Sequence, residues 1–274
     1  MTRPVIGLLL LIALSNAGES QRVAGPIARG AAWMAEYARS EQPLNFDAVI
    51  VLALAGHLHA DPALRVAFER ANERQDRDRG HPMRKFFEPD FRLSPELSRG
   101  WEVPAGAAAP RVNPDRVVTE ALHCRENGWR KETAAYVCGP MRDVGGYYAA
   151  HGLWAVELAR AGGCASAAEL QVCIDSLRAE VAAAQPLVFM PWTTLDIDLY
   201  AERLVMLLLS GGIPPAARDG VGRLLELQNE DGSWGVSAPG EPPYLRFHAT
   251  MMSVWALSLA GRNADDAAKQ QKFP

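Results

Sequence analysis

Positive charge is not in excess in this chain. Its 28 Lys and Arg stand against 32 Asp and Glu, a formal net charge of −4. No global basic field draws in nucleic acid. Aromatic residues make up only 8%. Strand-like alternation of apolar and polar residues is nearly absent, which excludes an all-β reading. The phosphate-binding glycine loops, the H-E-x-x-H zinc helix and the G-x-S-x-G nucleophile turn are all missing. Apolar runs are short as well. The longest that matters, Val5 to Leu14, falls short of the roughly 20 residues a bilayer-spanning helix needs. The mature chain is therefore expected to have no stable membrane span. What is present is an ordinary globular composition, 49% hydrophobic and 22% charged over 274 residues, enough for a sizeable core.

The first residues read as an address. Arg3 supplies the positive end, Val5–Leu14 the apolar stretch, and Ser15-Asn16-Ala17 the small-residue end of an export signal over 1–17. The expected location is secreted or periplasmic. Four cysteines, Cys124, Cys138, Cys164 and Cys173, agree with an oxidising compartment. No C-x2-C spacing favours a metal site. Of the three possible pairings the most local, Cys124–Cys138 with Cys164–Cys173, is expected.

A repeat of about fifty residues organises the rest. Tyr147 to Gly162, Asp196 to Gly211 and Tyr244 to Gly261 each begin polar, turn strongly apolar and reach glycine, a helix-stop signal. Asn45 to Gly56 is a fourth, fainter copy. Amphipathic helices lie between them, at Ala24–Arg39, Ala63–Asn72, Pro114–Glu126, Ala165–Ala184 and Ala216–Asn229. Each unit thus reads as one outer amphipathic helix and one inner apolar helix. Residues 76–112, rich in proline and carrying Phe86, Phe87 and Phe91, form an irregular insertion loop. Residues 263–274 read as a flexible tail.

The last repeat contains Gln228 followed by Asp231-Gly232-Ser233-Trp234, then a helix led by Phe247-His248. This resembles the QW repeat of terpenoid cyclases, and the later helix is similar to one in protein prenyltransferase β subunits. The resemblance implies an all-α fold, an α/α toroid of helix pairs over 18–262. On physical grounds Gln228, the Asp231-Gly232 turn and Trp234 read as a structural staple.

In a toroid the starts of the inner helices meet at one mouth. That expectation groups Asp196, Asp198, Glu202, His151 and His248. Three chemistries follow. The prenyltransferase resemblance implies a divalent metal, zinc, on Asp196, Asp198 and His248, with Asp198 where that family has cysteine. The cyclase resemblance implies an acid at Asp196-Ile197-Asp198. A glycan-processing site would use Asp196, Asp198 and Glu202 as acid and base, with Trp154, Trp192, Tyr147 and Tyr148 stacking on sugar rings. The alternative class is non-catalytic: an exported protein binding a small molecule, a glycan or another protein at the mouth, with His151, Trp154, Tyr148, Trp192 and His248 as contacts. The lack of catalytic motifs makes binding the leading expectation, with a metal- or carboxylate-dependent enzyme as its rival.

Overall fold

The computed structural model describes residues 4–40, 42–75, 80–93, 100–104, 112–185, 193–211, 215–236 and 240–270. The fold is all-α. In chain order the principal helices are α1 (Pro4–Arg39), α2 (Phe46–Leu58), α3 (Pro62–Arg74), α4 (Asp115–Leu122), α5 (Lys131–Tyr136), α6 (Gly146–Ala161), α7 (Ala167–Ala184), α8 (Thr194–Leu209), α9 (Pro215–Glu226) and α10 (Pro243–Gln270). The described residues divide into two compact units, and the division falls within α8, between Ala201 and Glu202.

In the first unit α1, α2, α3 and α10 pack on one another. Helix α1 presents Val23, Ile27, Ala31, Met34 and Ala38, all buried, at helical spacing. Helix α2 starts where Asn45 caps it, its side chain accepting from the Ala48 amide. From Phe247 to Ala260 nearly every α10 side chain is buried. The helix does not stop at Gly261, however. It runs on to Gln270, through residues expected to form a flexible tail. Gly261 is a packing residue here: a Cβ on it would come within 3.1 Å of Val23. Gly211, with φ +90°, does follow the end of α8, as a left-handed stop requires.

The Gln228–Trp234 segment joins elements of this first unit. Gln228 Nε2 donates to Pro26 O of α1 and to Gly232 O, both at 2.9 Å. The Arg29 guanidinium also donates to the Gln228 side chain. Trp234 is fully buried and its Nε1 donates to Leu224 O at 2.7 Å. Gly30 admits the indole: a Cβ there would meet Trp234 at 2.9 Å.

In the second unit α6 packs against α4 and α7. A helical segment the sequence did not announce, α5 continued by a wide turn at Val137–Met141, packs there too. Within the insertion loop, Pro82–Phe86 form a 3-10 turn capped by His81. The disulfides correct the expected pairing. Cys124 bonds Cys164 and Cys138 bonds Cys173. The bridges follow packing rather than sequence: the first joins the ends of the α4 and α6 segments, and the second joins the wide turn to α7. They close spans of 40 and 35 residues, so removing either is expected to cost about 4 kcal/mol on the chain-entropy argument. Peptide mapping under non-reducing conditions checks the pairing, and a Cys124–Cys138 peptide would contradict it. Among the described residues no helix is long and apolar enough to cross a membrane.

Candidate functional site

Four of the five grouped side chains fall into two constellations, one in each unit, and Asp196 joins neither. In the second unit, α6 carries His151 into a buried setting with only 8% of its side chain exposed. Its Nδ1 is hydrogen-bonded to Tyr147 O, one turn earlier, at 3.2 Å, and lies at an ion-pair distance of 2.7 Å from Glu202 Oε1. Its Nε2 lies 3.5 Å from Asp115 Oδ1. Glu202 is 3% exposed, so it has little water to stabilise its charge. Burial alone would strip the imidazole of its proton. The charges of Glu202 and Asp115, both within ion-pair distance of the ring, outweigh burial and raise the His151 pKa to about 10. Burial likewise pushes Asp115 up, but the bond and charge from His151 hold its carboxyl below the usual range. Asp115 also sits in the first turn of α4, where a negative charge is favoured.

Aromatic rings cover this charged group. The Tyr147 ring lies 3.9 Å from the His151 ring, tilted by 47°, and Tyr147 is 41% exposed. Tyr148 meets Tyr147 edge-on at 6.3 Å. Trp154 stacks on Phe86 of the insertion loop at 5.1 Å and 19°, so its face is taken by packing. Tyr147 is the exposed platform. Trp192 lies outside the described residues.

The first unit holds the other pair. His248 Nδ1 and Asp198 Oδ1 are 2.6 Å apart, with side chains 19% and 16% exposed. The carboxylate fixes the ring so that Nδ1 carries a proton, and a neutral ring then has its lone pair on Nε2. Asp196 does not join them. Its carboxylate accepts from the Thr193 amide and hydroxyl, at 2.9 and 2.8 Å, and the Asp196 amide donates back to Thr193 Oγ1. That is a capping box at the start of α8. The zinc expectation therefore lacks its ligand set, because residues i and i+2 point about 200° apart around a helix. Among the described residues no group of three His, Cys, Asp or Glu side chains is placed to hold a metal ion.

Sequence reasoning missed Asp115 as a partner of His151. A signal existed, since the Asn113-Pro114-Asp115 start of an amphipathic helix places an acid in its first turn. It gave no hint of which side chain that acid would meet. No protein-family model, no curated protein and no solved structure matches the chain.

Proposed function

We propose that this chain is an exported, disulfide-braced helical protein that binds a ligand or partner over the Tyr147–His151 face of α6, and that it performs no proton abstraction there. One observation carries the reading. The His151 ring lies between two carboxylates, 2.7 Å from Glu202 and 3.5 Å from Asp115, whose charges raise its pKa to about 10 against burial. A general base needs a pKa near the working pH, and this ring has no proton vacancy at neutrality. The cluster counts one positive and two negative groups, with an exposed tyrosine face above it. That suits a group that is cationic or rich in hydrogen-bond donors, whether on an amine, a glycan or a protein segment. Ligand-observed NMR with methylated amines and neutral monosaccharides tests it, on wild type and Tyr147→Ala. Saturable binding to wild type, and none to the variant, is expected. Turnover of ester, glycoside or peptide reporters that disappears in His151→Gln would overturn the reading.

The export signal at 1–17 and the two disulfides support the location. Protein recovered outside the cytoplasm should begin at Gly18. The fifty-residue repeat and the Gln228–Trp234 turn support an α/α toroid arrangement of the cyclase and prenyltransferase kind. A second reading rests on the Asp198–His248 pair, which has the geometry of a carboxylate-oriented base. On that reading His248→Ala abolishes a hydrolytic activity while leaving the fold intact. If the binding reading holds, neither His248→Ala nor Asp198→Asn changes ligand binding at Tyr147.

A further inference from the structure

The ends of α1 and α3 border an open depression of about 570 Å³ in the first unit, outside both histidine constellations. That is the size of a small-molecule site, roughly 300–1,000 Å³. Its wall is Ala38, Arg39, Ser40, Arg70, Glu73 and Arg74. Three guanidinium groups thus face one carboxylate, in a chain whose net charge is −4. Arg70 and Arg74 lie one turn apart on α3 and share a face. Arg39 closes the last turn of α1.

The three arginines are held in two ways. The Arg74 guanidinium donates to Ser40 O at 2.9 Å, to Ala38 O at 3.5 Å and to Gln42 O. These are all backbone carbonyls, and among the described residues no carboxylate pairs with it. The carbonyl end of α1 offsets only about half a charge. Arg74 is therefore fixed in place with part of its charge unmatched. Arg39 lies 3.0 Å from Glu36 and Arg70 lies 3.1 Å from Glu73, each a pair within one helix. All four of these side chains are more than half exposed, so water screens both pairs and each holds weakly. Both arginines can turn to a better partner.

The arrangement selects by charge number. A single carboxylate offers Arg39 or Arg70 no more than Glu36 or Glu73 already gives. A phosphate monoester carries close to two negative charges at neutral pH and three acceptor oxygens. It can bridge more than one guanidinium through charge-assisted bonds. The depression is larger than the bare group, which leaves room for the body that carries it. We propose that it binds the phosphate of a small phosphate monoester, with Arg74 as the fixed contact and Arg39 and Arg70 leaving their glutamates to close on it. This site has no part in binding above Tyr147.

Calorimetric titration of the intact protein at constant ionic strength tests it, with glycerol phosphate, inorganic phosphate and acetate. Saturable binding of both phosphates is expected, the ester at least as tightly as the free ion, and none of acetate. Arg70→Gln should weaken glycerol phosphate about tenfold, the loss of one charge-assisted bond, and Arg39→Gln should do the same. Arg223→Gln removes the same charge from a like pair outside the wall, 2.8 Å from Glu226, and should leave the affinity unchanged. No saturable binding of either phosphate, acetate bound as tightly, the free ion bound with the ester excluded, or equal losses in Arg70→Gln and Arg223→Gln would overturn the proposal. If a variant does not fold, the wild-type comparison of phosphates with acetate decides.

Discussion

His151→Ala is expected to destabilise the protein by about 3–5 kcal/mol at neutral pH, because it leaves Glu202 as a buried charge without its cation. Glu202 is 3% exposed and 2.7 Å from the imidazole. Little water can reach it when the ring is gone. A second substitution should reverse much of the loss. In His151→Leu with Glu202→Leu both charges are replaced by apolar groups of similar size, a change that is often close to neutral. Urea unfolding of the two single variants and the double variant measures this, and equal losses in all three would contradict it. The pH dependence has a definite sign. The folded His151 pKa lies above the unfolded value of about 6.5, so its contribution is complete below that pH. It fades as the pH rises through about 10. Asp115 behaves oppositely. Its folded pKa is depressed, so its contribution is present above the ordinary aspartate value of about 3.9 and fades in stronger acid. The gap between wild type and His151→Ala should therefore be flat from about pH 5 to pH 6, narrow as the pH rises above about 6.5, and close near pH 10.

Trp234→Ala should be of similar size, about 3–5 kcal/mol. The indole is fully buried, its Nε1 donates to Leu224 O, and its backbone amide donates to Thr250 Oγ1 at 3.0 Å. Removing it opens a cavity beside Gly30 and leaves the Leu224 carbonyl without the indole donor. Gly232→Ala attacks the same turn through the backbone. Gly232 has φ +90°, and a Cβ there would come within 2.7 Å of Arg29 O. Neither strain can relax without moving α1 from the turn. Both variants should lower the melting temperature and leave the two disulfides formed. A loss below about 1 kcal/mol for Trp234→Ala would mean that the site can collapse to fill the gap.

The repeat made the helices legible. Apolar stretches at Tyr147–Gly162 and Asp196–Gly211 became α6 and α8 within two residues at either end. Glycine was a weaker signal than it looked, since Gly261 sits inside α10 because Val23 packs on it. Residues 131–144 escaped notice because their packing depends on a wide turn at Val137–Met141 that has no sequence signature. The disulfide pairing was not legible either, because it depends on which helices neighbour one another. Of the site, helix spacing brought Asp196, Asp198, Glu202, His151 and His248 together as one cluster, and the division into His151 with Glu202 and His248 with Asp198 is a finding of the structure. Asp196 was misjudged, although the Thr193-Thr194-Leu195-Asp196 run already held a capping pattern. The meeting of Asp115 with His151 depends on a contact made across the fold.

The central claim is that His151 is a fixed cation in a binding site. The most direct test is the protonation state of its ring by nitrogen NMR across pH 6 to 11. Both ring nitrogens protonated through neutrality, with loss of the proton near pH 10, is the expected result. A neutral imidazole at pH 7, with one bare nitrogen, would contradict it and leave His151 able to take up a proton.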